Sequence, residues 1–387
     1  MSEVLGFGCR LNLAESAVLA GLSADSGLVI VNTCAVTAES VRQARQAIRR
    51  TARARPGVRI VVTGCAAEVE PEQFAMPEVA AVIGRAAKFL PSSYGDSPPA
   101  PLLPGAARTR AFVPVQNGCD HACTFCIIAR ARGPSTSEPA SAVVERIAAL
   151  SEAGTQEVVL TGVDLTSYAD GAATLGSLVQ RILRETALPR LRISSIDSIE
   201  ADDRLLDAIA TQPRLMPQLH LSLQSGDDLI LKRMRRRHSR AQAIEFCAAL
   251  RTRRPEIAFA ADFITGFPTE TEAMFERTAA LVEECDLTQL HVFAYSPRPG
   301  TPAARMPQVP PAVARTRAAR LRALGEARTA AALTAALNRP QRILVERSGQ
   351  RGRTEAYLPA HLSTPAAPGS IVTATATHHA AGILEFA

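Results

Sequence analysis

Three cysteines crowd into NGCDHACTFC, residues 117–126. Cys119, Cys123 and Cys126 follow a C-x3-C-x2-C spacing. A cubane [4Fe–4S] cluster takes one protein ligand per iron, so three thiolates leave one iron open. An open iron can be chelated by a small molecule that carries an amine and a carboxylate. Zinc is the competing use, with His121 inside the loop as a fourth ligand. His121 lies between Cys119 and Cys123, which is awkward for closing a tetrahedron with all three. Chance clustering fits poorly in a chain with eight cysteines among 387 residues.

Three further cysteines are spread out but occupy equivalent positions. Cys9, Cys34 and Cys65 each follow an apolar run, in VLGFGC, LVIVNTC and RIVVTGC. If those runs are neighbouring parallel strands, their carboxyl ends share one edge, the edge where open α/β sheets bind ligands. The three thiols then converge although they lie 25 and 31 residues apart. Small residues buried at a sheet edge are the alternative reading. Cys247 and Cys285 fall in helical stretches and are expected to pack in the core.

The elements that must position these residues are legible in the hydrophobic pattern. Strands are expected at 4–7, 28–31, 59–62 and 79–83, with an arginine-studded helix at 38–54, the alternation of a parallel α/β sheet. Residues 91–107, PSSYGDSPPAPLLPGAA, read as a linker. A second alternation follows, with strands at 112–115, 157–162, 190–195, 218–223, 257–264 and 289–295 and helices such as 138–153, 239–253 and 270–284. This predicts a partial (β/α)6 barrel with active residues at the carboxyl ends of its strands. A helix over 311–337 carries Arg315, Arg317, Arg320, Arg322 and Arg328, as a solvated or an RNA-facing surface. RILVERS, RTEAYLPA, SIVTATAT and GILEF predict a small all-β domain. The expected domains are 1–90, 108–338 with the basic helix included, and 339–387.

The C-x3-C-x2-C loop resembles the signature of the radical S-adenosylmethionine enzymes. That likeness implies that S-adenosylmethionine takes the fourth place on the cluster. It also implies that one electron from the cluster yields a 5′-deoxyadenosyl radical. GCRLNLAES (8–16), NTCAVT (32–37) and TGCAAE (63–68) are similar to the N-terminal domain of the methylthiotransferase branch, and the likeness continues through TGVDLTSY, RISSID, LHLSLQSGDDLILKRMRR, ADFITGFPTET and HVFAYSPRPGTPA. It implies a second [4Fe–4S] cluster on Cys9, Cys34 and Cys65, and an RNA-binding TRAM-like barrel in the terminal β segment. GCRLN and VFAYSPRPGTPA look most like the branch that adds a 2-methylthio group to N6-threonylcarbamoyladenosine beside the anticodon of transfer RNA. The isopentenyladenosine branch and the branch acting on a ribosomal-protein aspartate are the alternatives. A non-catalytic RNA-binding iron–sulfur protein and a zinc-binding module are the readings of another class. An electron donor such as a flavodoxin or ferredoxin, and a sulfur source, are implied with the activity.

Around the expected radical site, polar and small residues fall at strand ends. Gly162 allows close approach of a ligand. Ser194, Ser195, Gln224 and Asp262 offer hydrogen bonds and are the candidates for holding S-adenosylmethionine. Asp164 stands where the branch often has asparagine. The basic run KRMRRRHSR, with Arg235, Arg236 and Arg237, is open to a solvated turn or to contact with phosphate. Net charge is +6, from 43 basic and 37 acidic residues, and all the basic residues but Lys88 and Lys232 are arginine. Arginine suits bidentate phosphate contact, although the alanine-rich composition points equally to genomic bias. No run of 18 apolar residues predicts a spanning helix. The start, MSEVLGFGC, lacks the marks of a secretory signal, so a cytoplasmic enzyme without a disulfide framework is expected.

Overall fold

The computed structural model describes residues 2–95 and 109–386. Four parallel strands open the chain: β1 (Glu3–Gly6), β2 (Leu28–Thr33), β3 (Arg59–Gly64) and β4 (Ala81–Val82), in that spatial order. Every residue of β2 is buried. A central parallel strand covered on both faces reads as such an unbroken apolar run, which is why LVIV was legible. Connecting them are α1 (Arg10–Ala20), α2 (Ala38–Ala54) and α3 (Cys65–Val69). The start of α2 is set by Thr37, whose side chain accepts from the Ser40 N–H, and its inward stripe is Val41, Ala44, Ala47 and Ile48. The expected strand 79–83 pairs over two residues alone.

Chain order then enters β5 (Arg110–Pro114), β6 (Gln116–Asn117), α4 (Ile128–Arg132), β7 (Thr136–Ser137), α5 (Ala140–Glu152) and β8 (Glu157–Thr161). A hairpin, β9 (Ala169–Asp170) and β10 (Ala173–Thr174), precedes α6 (Leu175–Glu185). Next come β11 (Arg190–Ile193), β12 (Ser195–Ile196), α7 (Asp203–Thr211), β13 (Gln218–Gln224), α8 (Asp228–Met234) and α9 (Arg240–Arg253). The series closes with β14 (Ala258–Thr265), α10 (Glu272–Glu284) and β15 (Leu287–Ala294). These strands are parallel and form β5-β8-β11 and β12-β13-β14-β15 in spatial order. The strand expected over 190–195 is therefore broken at Ser194, whose N–H bonds Leu160 O at 3.0 Å. Strand–helix alternation with six repeats is the expected partial barrel. Its core packs alternate residues such as Leu219, Leu221, Leu223, Phe259, Ala261 and Phe263 against the helices. Period 2 sends their neighbours, His220, Ser222, Ala260 and Asp262, to the inner face.

The last helix, α11 (Pro311–Ala336), turns its arginines to neighbouring groups. Arg317 is buried against Glu270 at 2.9 Å, Arg320 reaches Glu272 and Glu276, and Arg328 pairs with Asp286. Arg322 donates to Val292 O, and Arg315 remains exposed. A closed five-stranded barrel follows: β16 (Pro340–Val345), β17 (Arg351–Arg353), β18 (Pro359–Leu362), β19 (Ile371–Ala380) and β20 (Ile383–Phe386). RTEAYLPA is thus two strands, because a turn at 354–358 with Tyr357 in the left-handed region (φ 66°) interrupts it.

Two compact units result. One gathers the described part of residues 1–104 with Gln116–Thr136 and Ser296–Ala304; the other holds the remainder, including both barrels. Of the expected linker 91–107, Pro91–Tyr94 forms a short 3-10 turn with Tyr94 buried, and 96–107 lie outside the described residues. Among the described residues no helix is long and apolar enough to cross a membrane.

Candidate metal centres

In the first unit, register brings the separated cysteines together. Gly6 pairs with Asn32 and Asn32 with Thr63, so β1, β2 and β3 end in one row. Cys34 and Cys65 are the next residues after β2 and β3, and Cys9 caps α1. Side chains lock the row. Asn12 Nδ2 donates to Phe7 O at 2.8 Å and to Thr33 O at 2.9 Å. Thr33 Oγ1 donates to Thr63 O and accepts from Ala67 N, which fixes the first turn of α3.

Glycines make the approach possible. A Cβ on Gly8 (φ 94°) would lie 2.6 Å from the Cys34 side chain, and one on Gly64 (φ 100°) would meet Thr33 backbone at 2.5 Å. The three thiols are close enough to feel one another's charge. Burial pushes the Cys34 thiol up to about 11, and Cys65 and Cys9 push the same way. Burial also raises Cys65, against the opposing pull of Arg132 and Lys88. None of the eight cysteines forms a disulfide. Three converging thiols on a tight strand-end cradle are a thiolate donor set suited to soft metals and iron–sulfur clusters.

The C-x3-C-x2-C loop belongs to the same unit. Gly118 opens it at φ 74°, with its Cα so near Pro134 that a Cβ would stand 1.8 Å from that carbonyl oxygen. Within the loop the N–H groups of His121 and Ile128 point at Cys119 Sγ and Cys126 Sγ, each at 3.4 Å, as Val36 N–H does at Cys34 Sγ at 3.5 Å. Such N–H···S bonds favour the thiolate form that a metal requires. Segment 296–304, SPRPGTPAA, covers the loop: Ala303 N bonds Thr124 O at 3.0 Å, Arg130 reaches Pro299 O, and Arg298 pairs with buried Glu70 at 2.8 Å.

A buried charge network that the sequence pattern did not disclose ties both cysteine sets together. Arg132, at the end of α4, donates to Glu15 Oε1 at 2.7 Å, Asn12 Oδ1 at 2.5 Å and Asn117 Oδ1 at 3.0 Å. Lys88 Nζ meets Glu15 Oε2 at 2.6 Å and Asn32 Oδ1 at 3.1 Å. Burial alone would raise the Glu15 carboxyl; Arg132 and Lys88 outweigh it and hold it below the usual carboxylate range. Asn12 and Glu15 lie just after Cys9, and Asn117 just before Cys119. The sole hint in the sequence was GCRLNLAES itself, a motif whose polar members had no obvious solvent role.

In the second unit, Gly162, Ser194 and Gln224 lie at the carboxyl ends of barrel strands, whereas Asp262, expected there too, stands inside β14 and Ser195 opens β12. Gly162 directly follows β8. Ser194 sits at the break between β11 and β12, and its buried hydroxyl has no hydrogen-bond partner among the described residues. Gln224 ends β13 in the left-handed region, φ 67°, a conformation that costs about 1–3 kcal/mol and clusters at functional sites. Ser195 and Asp262 are drawn into another set: Ser195 Oγ is 2.7 Å from His220 Nδ1, and Asp262 Oδ1 is 3.1 Å from His220 Nε2 and 3.4 Å from His291 Nδ1. Burial raises the Asp262 carboxyl, but the two imidazoles reverse this and hold it far below its ordinary value. The histidines went unnoticed in the sequence because they stand inside strands, not at their ends.

Of the remaining candidates, Arg236 pairs with buried Asp197 at 2.8 Å and donates to Ser222 O, and Arg237 pairs with Asp197 and Glu200. These two residues thus serve the fold locally, and Arg235, the left-handed cap of α8, stays exposed. Asp164 carries the short turn 165–167, where Ser167 Oγ donates to its carbonyl at 2.8 Å. Cys247 and Cys285 face each other in the barrel core, as expected.

Comparison with known proteins adds to this geometry. The description "Radical SAM superfamily" matches residues 113–282, and "Uncharacterized protein family UPF0004" matches residues 2–84. A threonylcarbamoyladenosine tRNA methylthiotransferase MtaB from Rickettsia prowazekii is 44% identical over 96% of this chain and 94% of its own length. The protein of that name from Thermotoga maritima is 35% identical over 78% of this chain and 76% of its own. A tRNA-2-methylthio-N(6)-dimethylallyladenosine synthase from Cereibacter sphaeroides is 32% identical over 95% of this chain and 93% of its own. Among solved structures, the radical S-adenosylmethionine methyltransferase TsrM from Kitasatospora setae superposes with a TM-score of 0.54 at 16% identity, over 75% of this chain and 66% of that one, a likeness of fold.

Proposed function

Because this chain belongs to the radical S-adenosylmethionine methylthiotransferase family, we propose that it adds a 2-methylthio group to N6-threonylcarbamoyladenosine in transfer RNA. The observation that carries the reading is the whole-length likeness to the Rickettsia protein, 44% over 96% of the chain. The cofactors of the reaction are S-adenosylmethionine and a [4Fe–4S] cluster, which we assign to Cys119, Cys123 and Cys126. A second cluster is assigned to Cys9, Cys34 and Cys65, supported by their convergence on one sheet edge. When bound, the cluster and S-adenosylmethionine supply a 5′-deoxyadenosyl radical, and a second S-adenosylmethionine supplies the methyl group.

The chain's own residues bind and orient. Thiol ligands are held by N–H···S bonds and by the Arg132–Glu15 network. Gly162, Ser194 and Gln224 remain the contacts proposed for S-adenosylmethionine; the Ser194 hydroxyl is a buried donor that the cofactor can satisfy. Ser195 and Asp262, expected beside them, face the histidines instead. An electron donor such as a flavodoxin or ferredoxin, and a sulfur source, complete the proposed reaction, in the cytoplasm. The domain reading 1–90, 108–338 and 339–387 is kept as a proposal, with RNA contact by the terminal β-barrel.

Nucleoside mass spectrometry of transfer RNA tests this directly. Deleting the gene is expected to abolish the methylthio form of threonylcarbamoyladenosine while the unthiolated precursor accumulates. The intact gene restores it, and genes carrying Cys123→Ala or Cys34→Ala do not. An unchanged nucleoside overturns the substrate. Loss of the methylthio form of dimethylallyladenosine in the same digest would move the assignment to that branch. No change in either would point to a protein substrate.

A further inference from the structure

Four side chains from four adjacent strands meet on the inner face of the parallel barrel. Ser195 of β12 is paired in register with His220 of β13, and Asp262 of β14 with His291 of β15. The rings of His220 and His291 stand edge to face, with centroids 4.7 Å apart. One ligand atom each of His220, Asp262 and His291 lies within 4.8 Å of the other two. None of these residues belongs to the unit that holds the two cysteine triads.

Hydrogen bonding accounts for this group incompletely. His220 is 7% exposed, yet its buried Nε2 has no well-directed hydrogen-bond partner, although Asp262 Oδ1 is 3.1 Å away. A ring nitrogen and a carboxylate oxygen converge on one point without the line of approach that an N–H donor needs. A cation at that point satisfies both. Metal–ligand bonds of about 2.0–2.2 Å place neighbouring ligand atoms about 3–3.5 Å apart. The observed 3.1 and 3.4 Å fall in that interval. Ser195 Oγ, at 2.7 Å, holds the other nitrogen of His220 and so orients the ring, the usual office of an outer-shell partner. His291 is half-exposed, with its side chain 52% accessible, which leaves a route for an ion and open coordination positions.

We infer that His220 Nε2, Asp262 Oδ1 and His291 Nδ1 form a binding site for one divalent first-row metal ion. Two imidazoles and one carboxylate select Mn2+, Fe2+ or Zn2+ and lack the thiolates that an iron–sulfur cluster requires.

Mn2+ alone is the probe, because it prefers nitrogen and oxygen donors and discriminates against the cysteine sets. The full chain, purified anaerobically with its iron, is titrated with Mn2+, and the free ion is followed by electron paramagnetic resonance. One saturable Mn2+ per chain is expected. Asp262→Asn and His291→Ala should each weaken it by about tenfold or more. A thermal midpoint and circular dichroism spectrum unchanged from the parent show that the fold survived in either variant, and the isosteric Asp262→Asn guards against a collapse caused by truncation. Absence of a saturable site in the parent, or equal binding in Asp262→Asn, overturns the inference and leaves the group as a hydrogen-bonded wall of the barrel.

Discussion

Gly118 shows how one residue sets the three-cysteine loop. Its φ of 74° excludes most side chains, and the Pro134 carbonyl oxygen occupies the space at 1.8 Å. Gly171, at φ 57°, has the same backbone problem but nothing within 4 Å. Gly171→Ala should therefore cost about 1 kcal/mol, the left-handed penalty alone. Gly118→Ala should cost about 3 kcal/mol or more, since backbone must also move. Thermal midpoints and iron content compare the two. Gly118→Ala is expected to lose iron as well as stability; equal behaviour would mean that the loop yields freely. The sequence showed Gly118 as a neighbour of a cysteine and nothing more, because the clash is with a residue that the chain reaches only after folding back.

At the scale of elements, α1 and α4 are joined by Arg132 and Glu15, 117 positions apart and both nearly buried. Removing one member of a buried pair costs about 3–5 kcal/mol, chiefly through the charge left behind. Arg132→Met is expected to lower the urea midpoint accordingly and to release iron from both cysteine sets together. If it releases iron from neither, or lies within about 1 kcal/mol of the parent, the network does not tie the two helices. Helix and strand positions were largely legible, since apolar period 2 and period 3.6 are local. Partners such as Glu15 for Arg132 were not, because an arginine in sequence looks the same whether it faces water or a carboxylate.

For the molecule as a whole, the notable electrostatic feature lies in the second unit, where the parallel barrel meets the terminal β-barrel. Glu157 is fully buried among Arg110, Arg190 and Arg192, with Arg192 Nε at 2.9 Å. Those arginines also reach the terminal barrel: Arg190 to Arg342 O at 2.9 Å, Arg192 to Thr354 O at 3.0 Å and Arg110 to Glu346 at 3.1 Å. Arg110, Arg192 and Arg353 gather around the Tyr357 ring at 4.9–5.2 Å. Burial opposes ionisation of Glu157, but Arg192 and Arg110 hold its carboxyl below the usual range. A depressed carboxyl stabilises the fold above its unfolded pKa, about 4.3, and that contribution is lost as pH falls through the folded value. Thermal midpoints should therefore drop with acidification below about pH 4.5. Glu157→Gln should be less stable at neutral pH, by about 3–5 kcal/mol, with a flatter acid limb. An acid limb unchanged by the substitution would remove Glu157 from this role.

The sequence by itself determined what depends on local pattern: the strands and helices, the partial barrel, the terminal β region, and which six cysteines stand in two groups. Spacing carried Cys119, Cys123 and Cys126, and equivalent strand ends carried Cys9, Cys34 and Cys65. Only the tertiary structure decided how surplus charge is used. Arg236 and Arg317, read in sequence as exposed positive charge, neutralise buried carboxylates or cap carbonyl groups, as Arg192 does. It likewise joined His220 and His291 to Asp262, residues 29 or more positions apart. The physical reason is common to both: a hydrophobic period is written along the chain, whereas the partner of a polar group is chosen across strands by register.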